Sequence, residues 1–192
     1  MRTDTQILLA GVLFLGLGFL LGYLACAETG NSSIYKDILT TDAKVMEISD
    51  LKIDADSYYD ESSLAYEDMI YSSVESNCRL AREKYSQHAQ GIREINAEIT
   101  SDEKIMTIYK DMLTEQVNID MNMYEACEHF ESGSRYYAKY YLPNTSYNDP
   151  SYDMGTGEID MMNDKIKDHD SAVERYNTLL AEYSVELEEI IK

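Results

Sequence analysis

The segment IDMMNDKIKDHDSAVERYNTLLAEYSVELEEI, residues 159–190, places apolar or ring-bearing side chains at Ile159, Met162, Ile166, His169, Val173, Tyr176, Leu180, Tyr183, Leu187 and Ile190. The intervals alternate between three and four, a heptad seam sustained over more than four repeats. That spacing is the signature of an α-helix with one face laid against a partner. The same alternation runs through Tyr71, Val74, Cys78, Ala81, Tyr85, His88, Ile92, Ile95 and Ile99. Between these two segments, from about Asp102 to Tyr141, two neighbouring stripes occur: Ile105, Tyr109, Met112, Ile119, Met123 and Phe130 beside Met106, Leu113, Val117, Tyr124 and Cys127. An apolar face that wide implies a helix with two partners.

Thr100 and Glu103 have capping-box spacing, so the chain is expected to turn there and make a hairpin of the second and third helices. A weaker seam, Ile34, Ile38, Thr41, Val45 and Ile48, marks a first helix. Residues 54–63, DADSYYDESS, are poor in helix formers but hold neither Gly nor Pro. Folding the second helix straight back along the first would bring its far end to the level where the first begins. The first is therefore read as a stalk continuous or nearly continuous with the second. Both prolines of the chain, Pro143 and Pro150, fall with Gly155 and Gly157 in the stretch Leu142 to about Gly157, the one long loop expected. The expected helices are about 34–56, 58–99, 102–141 and 158–191. The fold class is all-α, an elongated, antiparallel, coiled-coil-like bundle of three to four helices following a transmembrane helix.

That last element rests on Ile7 to Ala25, ILLAGVLFLGLGFLLGYLA, a run without charge. At about 1.5 Å per residue it is about 28 Å long, enough to cross a bilayer core of about 30 Å once. The run exceeds a signal-peptide core, and Arg2 before it is offset by Asp4, so a retained signal anchor is favoured. Ala25-Cys26-Ala27 matches a cleavage site, and Tyr23-Leu24-Ala25-Cys26 is a poor lipobox, so cleavage and lipidation at Cys26 stay open. The expected layout is a cytoplasmic segment 1–6, an anchor 7–26, a tether 27–33 and an extracytoplasmic bundle 34–192. It makes the chain a single-pass protein of the cell membrane. Gly18 and Gly22 give the anchor a small-residue stripe against which a second copy could pack.

The 192 residues carry 16 basic and 36 acidic side chains, a net charge of −20. Arg2 and Asp4 cancel, so all of that charge belongs to the segment after the apolar run. Such acidity excludes nucleic acid and anionic lipid surfaces as partners, since both demand basic patches. Tryptophan is absent and phenylalanine occurs three times, against 17 tyrosines and 10 methionines. Packing then falls to tyrosines, whose hydroxyls need water or a partner.

Site chemistry in the sequence is sparse. Cys78 and Cys127 fall near one level of the expected hairpin, both on apolar stripes, and are the candidate disulfide. Asn31-Ser32-Ser33 and Asn144-Thr145-Ser146 are candidate glycosylation sites at Asn31 and Asn144. Asp149, Ser151, Asp153 and Asp160 occupy four positions of a calcium-loop frame, a weak match because Met154 stands where the turn needs Gly. His129 and His169 could meet across the third and fourth helices. No nucleophile elbow, phosphate loop, H-E-x-x-H or C-x-x-C occurs, so neither an enzyme nor a bound metal or cofactor is expected. Tyr136, Tyr137, Tyr140 and Tyr141 cluster at the end of the third helix, as tyrosines do at interfaces. The expected role is structural or interactive: a surface component or accessory subunit binding other proteins, and a second copy of itself. The alternative is a sensory or solute- or cation-binding ectodomain.

Overall fold

The computed structural model describes residues 32–143, 145–146 and 149–191. Four helices account for nearly all of them: α1 (Ser32–Glu67), α2 (Tyr71–Glu98), α3 (Lys104–Tyr140) and α4 (Ser151–Ile191), with no strand among the described residues. At about 1.5 Å per residue the longest is about 60 Å, so the bundle is a rod. None of the described helices is long and apolar enough to cross a membrane. The run Ile7–Ala25, with Gly18, Gly22 and Cys26, lies outside the described residues, as do both sequon asparagines, Asn31 and Asn144.

The expected seams point inward. Val74, Cys78, Ala81, Tyr85, His88, Ile92 and Ile95 of α2 are all buried, and every seam position of α4 is buried or half-buried. α3, with its wide apolar face, packs between α2 and α4. α4 is an edge helix, which is why most of its seam is only half covered.

The path of α1 corrects the sequence reading. It does not continue into α2 as a stalk but turns at Asp68–Ile70 and lies antiparallel along it. Lys44 pairs with Glu98, Lys84 Nζ with Asp54 at 2.9 Å, and Tyr85 Oη donates to Asp56 Oδ1 at 2.7 Å. A Cβ on Gly91 of α2 would lie 2.8 Å from Ile48 Cδ1, so the two helices approach closely there. Residues 54–63 stay helical because the seam persists through them as Lys52, Ala55, Tyr59, Ser62 and Tyr66, in the same alternation of three and four. Ser62 and Ser63 return their hydroxyls to the carbonyls of Tyr58 and Tyr59 at 2.9 and 3.2 Å, so the helix loses nothing to them.

The turn closing α1 is built without glycine. Ile70 N–H donates to Ala65 O at 2.8 Å and Met69 N–H to Tyr66 O at 3.0 Å, the paired bonds of a Schellman ending. Its left-handed residue, normally Gly, is Met69 at φ 59°. Two further boundaries differ from expectation. The reciprocal capping box does not form at Thr100 and Glu103: α3 starts at Lys104, and Glu103 N–H instead donates to Ser101 Oγ at 3.3 Å. α4 begins at Ser151 rather than 158, because Asp149 Oδ1 accepts from Ser151 N–H at 2.9 Å and Pro150, just before the helix, accepts at its carbonyl from Met154 N–H at 3.0 Å. Gly155 and Gly157 therefore sit in α4, and Gly155 meets Gly133 of α3: a Cβ on Gly133 would lie 3.2 Å from Gly155 O.

The rod thus has two unlike ends. At one, here the base, the start of α1, the α2–α3 turn and the end of α4 share a core of Ile38, Ile92, Ile95, Ile99, Ile105, Met106, Tyr109 and Tyr183, with Leu187 and Ile190 against it. At the other, the tip, lie the α1–α2 turn and the α3–α4 connection. No Cα of α1 comes within 8 Å of one of α4, so the backbone order is a meander, α1–α2–α3–α4.

Candidate functional site

At the tip, rings from all four helices form one connected cluster. Tyr66 sits edge-on to Phe130 with centroids 5.2 Å apart and 6.1 Å from Tyr71 and Tyr137. Tyr71 stacks flat on Tyr141 at 6.1 Å, 5° from parallel. Tyr152 from the first turn of α4 reaches Tyr137 at 5.6 Å and Tyr140 at 5.2 Å, and Tyr140 is edge-on to Tyr141 at 5.2 Å. Of the four tyrosines expected here, Tyr137, Tyr140 and Tyr141 are in this cluster and Tyr136 is half-buried beside it. Sequence reasoning missed Tyr66 and Tyr71, which the folding back of α1 delivers. Burial together with the neighbouring Tyr137, Tyr71 and Tyr141 pushes the Tyr66 phenol up to about 12, so it stays protonated and able to donate.

Around the rings the tip is open and apolar. Leu64, Met69, Ile70, Tyr141, Leu142, Tyr152 and Met154, from α1, its turn, the end of α3 and the start of α4, are each between 46% and 68% exposed. Their charged neighbours are mostly acidic: Asp60, Glu61, Glu67, Asp68 and Asp153 are all exposed. Met46, Ile53, Met161 and Val185 are also exposed along the helices, but the tip gathers seven such side chains at one end, and gathered apolar surface of this kind marks contact sites. Met69 adds to the pattern, since a left-handed L-residue costs about 1–2 kcal/mol and is the most exposed of the set.

Below the tip the α1–α2–α3 interface holds a column of polar groups. Cys78 and Cys127 are both buried, both free, and face each other within one cluster with Ala55, Tyr59, Ala81, Ala126 and Phe130. The hydrogen bond with Cys78, then burial, pushes the Cys127 thiol well up. Cys78 Sγ also lies 3.4 Å from Ser62 Oγ. Arg82 stands over the Tyr124 ring at 4.8 Å, donates to its hydroxyl at 3.0 Å and pairs with Glu128 and Glu131 at 3.2 and 3.1 Å. Further down, His88 Nδ1 meets Asp120 Oδ2 at 2.7 Å, and Gln116 Nε2 donates to Asp120 Oδ1 at 3.3 Å. Both His88 and Asp120 are buried.

Near the base, Tyr109 Oη donates to Asp42 Oδ1 at 2.5 Å, with the Tyr109 and Tyr183 rings 5.7 Å apart. Burial pushes the Asp42 carboxyl up to about 6 against the bond from Tyr109, and burial with the Asp42 charge pushes the Tyr176 phenol up to about 12. Here side chains of α3 and α4 reach α1 although the α1 and α4 backbones stay apart.

The metal candidates do not assemble. His129 pairs with Glu158 at 2.8 Å, Glu125 with Lys165 at 2.6 Å and Glu115 with Arg175 at 3.0 Å, a register that leaves His169 about 12–16 Å along the rod from His129. His169 takes its own neighbour Asp170 at 3.1 Å. The calcium frame is not a loop: Asp149 caps α4, Ser151 is buried, and Asp153 and Asp160 are exposed on the helix about 10 Å apart. Among the described residues no three His, Cys, Asp or Glu side chains converge to hold a metal ion. A hollow of about 470 Å³ between α3 and α4, by Asn118, Glu125 and Arg175, is a shallow polar groove. Comparison with known proteins adds nothing to these observations: no family model, no curated protein and no solved structure matches this chain.

Proposed function

We propose that this chain is a membrane-anchored rod that holds an aromatic tip away from the bilayer to dock another protein, with an interactive role and no catalytic one. The observation that carries the reading is the placement of the exposed apolar set at the end opposite the one where the chain enters the bundle. The apolar run stops at Ala25 and α1 starts at Ser32. The intervening residues span at most about 20 Å even fully extended, so an anchored run sets the base near the membrane. The tip then stands about 40 Å further out, by the rise of α1 between Ile38 and Tyr66. Acidic residues around the tip suit a partner with an apolar centre and a basic rim, and they oppose tip-to-tip pairing of two copies through like-charge repulsion.

Photo-crosslinking in intact cells tests this. A crosslinking side chain at Met69 or Leu142 should yield an adduct with one heterologous protein, while the same group at Asp164, on the exposed mid-length of α4, should not. External protease should digest the rod without lysis. Equal adducts from all three positions, an adduct of twice the chain mass from the tip, or a rod protected until lysis would each overturn the reading.

A further inference from the structure

We propose that Cys78 and Cys127 are joined in the mature protein by an intrachain disulfide that staples α2 to α3 below the tip. The inference rests on the extracytoplasmic reading above, since such a bond persists only in an oxidising compartment. The two residues sit on adjacent antiparallel helices, both fully buried and in one packed cluster. Their level is fixed from both sides: Asn96 Nδ2 donates to Lys110 O at 3.2 Å toward the base, and Arg82 reaches Glu128 and Glu131 beside the pair. Small residues surround them. Ala81 one turn on from Cys78, Ala126 next to Cys127 and Ala55 of α1 are all fully buried. Alanine at these positions favours a close approach of the α2 and α3 backbones, and a disulfide requires a Cα separation of about 4.4–6.8 Å.

Oxidation would leave no polar group stranded. The Cys78 thiol is near Ser62 Oγ, but that hydroxyl already donates to Tyr58 O at 2.9 Å, so losing the S–H removes only a weak donor. The chemistry is thiol–disulfide exchange with an external disulfide. One cysteine thiolate attacks it, forming a mixed disulfide and releasing one thiol. The second cysteine thiolate then attacks the first cysteine's sulfur and releases the other, so two protein thiols and one external disulfide become one protein disulfide and two external thiols. Because Tyr59 and Ser62 of α1 close over the pair, the bond must form in the α2–α3 hairpin before α1 docks.

The test uses the full chain with Cys26→Ser, which limits the readout to two thiols. Cells are quenched with N-ethylmaleimide in denaturant, and peptides are mapped with and without reductant. The expected result is a Cys78–Cys127 linked pair that separates on reduction, with reduction lowering Tm by about 5–15 °C. Free, alkylated thiols in a rod that external protease digests overturn the disulfide and leave the topology standing. Free thiols in a rod protected until lysis overturn the topology instead. The purified full chain refolded with oxidised glutathione then decides the pairing: a linked pair upholds it, and glutathione adducts on both cysteines overturn it.

Discussion

Replacing Asp42 by asparagine should stabilise the rod at neutral pH and leave its stability at pH 4 unchanged. Burial raises this carboxyl from an ordinary 3.8 to about 6, outweighing the bond donated by Tyr109. Because the folded value lies above the unfolded one, the native state holds the proton more tightly between those limits. Stability from this group is therefore complete below about pH 4, falls as pH rises through 6, and stays lost above. A shift of about two units corresponds to about 3 kcal/mol, and water at the open edge of the site returns part of it, leaving about 2–3 kcal/mol. The Asp42→Asn side chain would keep an oxygen for Tyr109 Oη without a charge to desolvate. Urea unfolding followed by circular dichroism, on the full chain in mild detergent at pH 4 to 8, gives the two curves. Their difference cancels the many other carboxylates. It should open from about zero at pH 4 to about 2–3 kcal/mol at pH 7.5, or about 5–10 °C in Tm. A difference that does not change with pH, or one that shrinks as pH rises, would refute the argument that burial dominates at Asp42.

Met69→Gly should raise stability by about 1 kcal/mol by relieving the left-handed turn, yet weaken crosslinking at the tip, so the two readouts move in opposite directions. Asp120→Ala should cost about 2–4 kcal/mol in urea unfolding, since it leaves the buried His88 ring nitrogen and Gln116 amide without their acceptor; Asp120→Asn should recover part of the loss. Gly133→Ala places a Cβ 3.0 Å from Ile159 Cδ1 and 3.2 Å from Gly155 O, and the backbone cannot yield as a side chain can. It should destabilise by about 1 kcal/mol net of the helix propensity gained, and a variant more stable than the parent would show that α3 and α4 separate easily there.

Four helices, the α2–α3 hairpin and the inward faces of α2, α3 and α4 were legible because their seams are apolar at nearly every step. The path of α1 was not. Its seam runs unbroken from Ile34 to Tyr66, but Lys52 and Ser62 occupy seam positions and disguise it. Lys52 can sit there because it pairs with Asp56 one turn on and lies 5.0 Å over the Tyr85 ring, a partner that only the folding back of α1 supplies. The turn was hidden for a related reason: its left-handed position holds Met rather than Gly. The tip tyrosines of α3 could be found as a local cluster, whereas Tyr66 and Tyr71 join them only once α1 doubles back. His129 and His169 failed to meet because the α3–α4 register is set by ion pairs, Glu125 with Lys165 and Glu115 with Arg175, that no apolar period reveals.

The doubling back of α1 also decides how the rod carries mechanical load. Tension between a tether at Ser32 and a body gripping the tip draws α1 lengthwise along α2, so every side chain between Ile38 and Tyr66 resists at once. That is shear rather than peeling, and rupture requires the whole seam to slip together. A stalk in series with the bundle would hand the same pull to one junction, where it could unravel a turn at a time.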